Sequence, residues 1–270
     1  MVVSFSVFVI GALSISVILP CTQSHLQFLP QLLFSLKNQT LLPTEVVISI
    51  SSLEEQDHSL LDKLQTERYS FILKIVRSYK RQYAGENRNI AIENSSGELI
   101  ICQDADDIPH PQRIEAIHSL YYQEDFDLLL HLYLKYDFPS QGKLTTLANN
   151  YQSLKFSQYN LDVIKLNTSN FFKLKRQFLS FFLKFTSYKE RNKLFGIHFG
   201  NCAFKRTVFD SVRYSNDPTG QDLKFCTQVV ENFRSCFLTN LPLVYFIKTR
   251  STYKERISFR QEYALYGGDD

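Results

Sequence analysis

The chain has 270 residues, of which 44% are hydrophobic and 21% charged, with a formal net charge of +3. That length suits one large α/β domain or two small ones with a substantial core, and the composition excludes a disordered chain. So small a charge does not point to nucleic acid as a partner, and no RNA- or DNA-binding motif appears, so none is expected.

In chain order, residues 1–19 are nearly all apolar or serine, which is long enough for a signal anchor. No Lys or Arg precedes Lys37, however, and residues 15–19 also read as a β-strand stopping at Pro20. The strand reading is preferred, which leaves 1–13 as an extra strand or a loose extension. Residues 26–37 carry Leu29, Leu32, Leu33 and Leu36 at helical spacing and close at Asn38-Gln-Thr40. A β-branched strand over 45–50, ending in Ser51-Ser52, precedes a short helix over 59–66 and a strand over 70–76. Residues 87–94 form a helix stopped by Ser95-Ser-Gly97, and 98–103 form a fourth strand.

That strand runs directly into Asp104-Ala-Asp106-Asp107. Carboxylates this close repel one another, and a divalent cation between them removes the cost. Magnesium- and manganese-type ions take few protein carboxylates and complete their shell with water and substrate phosphates. A solvated turn is the other reading of the same residues. A helix over 110–122 and a strand over 126–133 follow, and 136–167 read as irregular with short strands.

Residues 170–186 are the most amphipathic stretch, with Phe171, Leu174, Phe178, Phe181 and Phe185 opposite Lys173, Arg176 and Lys184. This pattern fits an interfacial membrane helix and equally a surface helix packed on a core. The five cysteines, Cys21, Cys102, Cys202, Cys226 and Cys236, show no C-x-x-C spacing. Their pattern suits packed thiols in a reduced compartment. The expected location is therefore cytoplasmic, open to peripheral contact with the inner face of a membrane through 170–186.

Strands alternating with helices imply a mostly parallel α/β sheet with both faces covered, and ligands bind such sheets at the carboxyl ends of the strands. Pro20–Thr22, Ser51 and the acidic loop would then meet at one crevice.

Four stretches, taken in order, resemble glycosyltransferase family 2, whose members have the Rossmann-like GT-A fold and use nucleotide-activated sugars. They are Ile15-Ser-Val-Ile-Leu-Pro20, Leu32-Leu-Phe-Ser-Leu-Lys-Asn-Gln-Thr40, Ala84-Gly-Glu-Asn-Arg-Asn-Ile-Ala-Ile92 with Ser96-Gly-Glu-Leu-Ile100, and the DXD-like Gln103-Asp-Ala-Asp-Asp107. A weaker echo continues through Gly200-Asn-Cys-Ala-Phe-Lys-Arg206 and Gly220-Gln-Asp222. The resemblance implies a single 1–270 domain, with a nucleotide-sugar half over about 14–122 and a mixed acceptor half over about 123–270. It implies a divalent cation (manganese or magnesium) held by Asp104 and Asp106, and a nucleotide-sugar donor contacted by Pro20, Thr22, Ser51, Arg88 and Asp104. Asp222 is the implied general base for an inverting transfer to a hydroxyl on a glycan, a lipid-linked acceptor or a protein, in cell-surface polysaccharide assembly.

From the residues alone, Asp222 reads first as a first-turn helix Asp, and a surface helix Arg is the other reading of Arg88. Cys21-Thr-Gln23 replaces the Tyr-Asn usual after the first proline, and two further departures from the family pattern stand out. Ser51 occupies the place of a base-reading Asp, and Gln221 that of a Glu. They motivate an alternative, a weak or inactive member that binds nucleotide or glycan. Asn201 and His198 fall where the acceptor side lies, and Lys248 or Arg250 stands where a metal-binding His is absent.

Overall fold

A computed structural model describes residues 13–53, 58–138, 163–171, 193–194, 197 and 199–249. Its strands are β1 (Ile15–Thr22), β2 (Glu45–Ser51), β3 (Ile72–Arg77), β4 (Leu99–Cys102), β5 (Ile108–Pro109), β6 (Leu128–Phe138), β7 (Val163–Leu166), β8 (Lys193–Leu194), β9 (Cys202–Lys205) and β10 (Cys236–Thr249). Its α-helices are α1 (Leu29–Lys37), α2 (His58–Thr66), α3 (Ala84–Glu93), α4 (Arg113–Glu124), α5 (Arg206–Ser211) and α6 (Gln221–Asn232). The described strands form one sheet in the order β3-β2-β1-β4-β9-β6-β10-β5, with β7 beside β10 and β8 beside β6.

β3, β2, β1 and β4 pair in parallel, as do β6 and β10. β9 runs antiparallel to both of its neighbours, β4 and β6, and so joins the two parallel groups. The expected mostly parallel α/β sheet is the one observed. The period-two alternation of each strand divides the core. Ile15, Val17 and Leu19 of β1, with Leu99 and Ile101 of β4, meet α1, α2 and α4 on one face. Ile18, Val47, Ile100 and Cys102 meet α3, α5 and α6 on the other. All seven residues of β2 are buried, as strands covered on both faces require.

Several boundaries differ from the sequence reading. The first helix is two pieces, a 3-10 segment Gln23–Phe28 and then α1, with Pro30 in the first turn. α3 begins three residues earlier than expected. α4 begins three later, because Ile108–Pro109 pairs with β10 and the His110 N–H donates to the Leu243 carbonyl. β10 is a long strand with register shifts around Pro242, which cannot donate to the ladder. Residues 15–19 are sheet, not a membrane segment. Residues 1–12, most of 136–167, and 172–186 of the amphipathic stretch lie outside the described residues; Phe171 at its start is buried. Among the described residues no helix is long and apolar enough to cross a membrane.

Candidate active site

Because β1, β2 and β4 run in parallel, their carboxyl ends share one rim of the sheet. A cleft of about 170 Å³ opens at that rim, lined by Pro20, Cys21, Thr22, His25, Gln82, Ala84, Asn87, Arg88, Asp104, Ala105 and Asp106. Of the residues expected at the site, Pro20, Thr22, Arg88, Asp104 and Asp106 therefore come together. Ser51 ends β2 fully buried and is not part of the lining. Asp222 is not part of the lining either, but it touches a residue that is.

The floor of the cleft is tied by α3. Asn87 donates from Nδ2 to the Cys21 carbonyl at 2.8 Å and accepts from the Ser49 hydroxyl, so one buried amide holds the ends of β1 and β2 together. Thr22 Oγ1 lies 2.8 Å from His25 Nδ1 and 2.9 Å from the Ser24 hydroxyl. Burial, with the Asp106 charge adding to it, pushes the Cys21 thiol well up, so it stays protonated there. All five cysteines are buried free thiols.

The acidic loop is shaped from beneath. The Gln103 amide donates to the carbonyls of Asp104 (2.9 Å) and Asp107 (3.1 Å). Gln103 in turn accepts from Arg113, whose other terminal nitrogen donates to the carbonyls of Cys102 (2.6 Å) and Gly200 (2.7 Å). Arg113 is almost completely buried, and burial pulls its pKa down to about 10, which still leaves it charged at neutral pH. Asp104 and Asp107 are among the charges that offset the loss. Asp104 Oδ2 accepts from the Gly200 N–H at 3.0 Å, and a Cβ at Gly200 would stand 2.8 Å from that oxygen. Any side chain at this position would push the Asp104 carboxylate aside.

Sequence reasoning missed Arg113. Its signal was available, since Arg113 falls at i, i+4 and i+7 with Ile117 and Leu120 on the apolar side of α4.

Two carboxylates, Asp104 and Asp106, line the cleft, and among the described residues no three His, Cys, Asp or Glu side chains cluster as a metal cage. Such a donor set fits a hard cation that keeps its waters and takes substrate phosphate oxygens, not an enclosed structural metal.

Asp222 is the second residue of α6, and its carboxylate pairs with Arg88 Nη1. The Arg88 guanidinium also lies over the Phe199 ring at 4.6 Å. Gln221 is buried and donates its amide to the Asp217 carbonyl, a bond that a glutamate could not make. Asn201 is fully buried and donates to the His131 carbonyl, which makes it part of the core. His198, Arg250 and the Lys248 side chain lie outside the described residues.

The family description Glycosyl transferase family 2 matches residues 16–213. No curated protein sequence matches the chain. Similar solved structures include S. aureus TarS residues 1–349 in complex with UDP, at 14% identity and TM-score 0.57, covering 96% of this chain and 67% of that one. The same TarS fragment with UDP-GlcNAc gives 13% identity and TM-score 0.56, covering 90% and 61%. Glucosyl-3-phosphoglycerate synthase from Mycobacterium tuberculosis, in complex with Mg2+ and UDP, gives 15% and 0.51, covering 95% and 79%. A longer S. aureus TarS chain is spanned to only 39% of its length. At these identities the likeness is one of fold.

Proposed function

The chain belongs to glycosyltransferase family 2, and we propose that it is an inverting, metal-dependent enzyme moving a sugar from a nucleotide diphosphate to a hydroxyl acceptor. The observation that carries this reading is the meeting of Asp104 and Asp106 with Pro20, Thr22 and Arg88 in one cleft at the carboxyl rim of the sheet. Uridine is the proposed nucleoside, because TarS and the mycobacterial synthase are solved with UDP in structures of this fold.

A cation held by Asp104 and Asp106 would neutralise the diphosphate as it leaves. Pro20 and Thr22, at the end of β1, hold the nucleoside side of the donor; buried Ser51, paired with Thr22 in the sheet, supports that strand end without facing the cleft. Asp222 takes the proton from the attacking hydroxyl as general base. Attack from the face opposite the leaving group inverts the anomeric centre. The acceptor belongs to glycan or polysaccharide assembly. Peripheral membrane contact through residues 170–186 is part of the same proposal, rests on their sequence pattern, and is testable by flotation with anionic vesicles.

Calorimetric titration of UDP with manganese, followed by hydrolysis of a panel of nucleotide sugars, tests this reading. Wild type is expected to bind UDP only with the cation, and Asp106→Ala to lose that binding. Equal affinity in the variant contradicts the metal assignment. Metal-dependent binding without turnover of any donor favours a nucleotide-binding, inactive member.

A further inference from the structure

The family resemblance puts Arg88 beside the nucleotide, yet its guanidinium is committed to the other half of the chain. Nη1 pairs with the Asp222 carboxylate, and the guanidinium carbon lies 4.6 Å from the Phe199 ring centre and 5.5 Å from that of Tyr214. Tyr214 is itself stacked on Phe225 of α6 at 4.1 Å, the helix that carries Asp222. α3 is locked to the same region by a reciprocal pair: the Asn89 amide donates to the Tyr214 carbonyl at 2.9 Å, and the Tyr214 N–H donates back at 3.0 Å. Arg88 is 7% exposed. A planar guanidinium confined by an ion pair and two aromatic rings is directed at one target, and swinging it to a diphosphate would forfeit all three contacts.

Asp222, by contrast, stands in the first turn of a helix, where an unrestrained carboxylate samples several rotamers. Resting on the assignment of Asp222 as general base, we infer that Arg88 is a positioning residue that aims the Asp222 carboxylate at the cleft and acts on the reaction through it, not by binding the donor. Its charge alone does not suffice, because the ammonium of a lysine lacks the flat, directional fork that lies against both rings.

The test uses the full chain. Turnover is measured by hydrolysis of whichever UDP-, GDP- or dTDP-sugar the wild type accepts, and nucleotide affinity by calorimetry of UDP with manganese. The proteins are wild type, Arg88→Gln, Arg88→Lys, Asp222→Asn and the double variant Arg88→Gln/Asp222→Asn. Arg88→Gln is expected to lower kcat by about tenfold or more while UDP affinity stays within about twofold, and to add nothing to Asp222→Asn. Arg88→Lys is expected to recover part of the kcat.

Weakened UDP binding in Arg88→Gln, or a further fall in kcat in the double variant, overturns the inference. Should Arg88→Gln not fold, Arg88→Lys carries the test: lower kcat at unchanged UDP affinity supports the inference, and unchanged kcat at weaker affinity overturns it. Undiminished turnover in Asp222→Asn removes the base assignment itself. That failure is distinct from one in which Asp222 matters and Arg88 serves only the donor. A wild type that turns over no donor overturns both.

Discussion

Glu45 shows how much one side chain does at the rim opposite the cleft. It opens β2 with its carboxylate buried, Lys74 Nζ at 2.7 Å, and bonds from the Ser16 hydroxyl, the Ser96 N–H and the Gly97 N–H. Burial pushes its carboxyl up, but Lys74, Ser16 and Ser96 together outweigh burial and hold it at about 2, against an ordinary 4.5. The folded state thus favours the ionised form. The contribution is complete above pH 4.5 and is lost as the pH falls from there towards 2. Water around the exposed Lys74 ammonium screens the pair, which brings its size to about 1–2 kcal/mol. Urea unfolding of wild type and Glu45→Gln should therefore show a gap of that order at pH 7 that shrinks steadily between pH 5 and pH 2. A gap that does not change with pH would mean that the Gln variant is penalised by packing alone. Sequence reading took Glu45 only as the start of a strand, since its partners Ser16, Lys74 and Gly97 sit on three other segments. Asp104 and Asp106 were legible because their spacing and the strand before them are local.

At the scale of elements, the site depends on how closely α3 approaches the loop between α5 and α6. A Cβ at Gly85 would stand 2.0 Å from the Ser215 carbonyl oxygen, so the helix and the loop touch through bare backbone. Gly85→Ala must force them apart, and overpacking of this kind costs about 1–3 kcal/mol. The Arg88–Asp222 pair crosses the same junction. The expected outcome is a lower urea midpoint together with a loss of turnover that persists under conditions where the variant is fully folded. Full activity in folded Gly85→Ala would show that this approach serves stability only. Gly85 was recognisable as part of a family block, but what it touches was not, because Ser215 lies in an irregular loop without periodicity. The same limit applied to β5 and β10, whose short or interrupted pairings around Pro109 and Pro242 carry no alternation strong enough to read.

For the whole molecule, the cleft draws on β1, α3 and the acidic loop, so a ligand bound there would bridge segments far apart in the chain. A ligand at a hundred times its dissociation constant adds about 2.7 kcal/mol, which for a chain of this size raises Tm by roughly 5 °C. UDP with manganese is expected to give such a shift and UDP with a chelator a much smaller one; equal shifts would show that the cation is not part of the bound complex.

The βαβ frame, the two-sided core and the acidic loop were determined by sequence alone, because strand alternation, helical period and turn residues act over a few neighbouring positions. Tertiary structure alone decided that β9 runs backwards between two parallel groups, that Arg113 enters beneath the loop, and that Arg88 reaches Asp222. Each of these is a contact between distant segments, where the energy lies in a pairing whose partner no local pattern names.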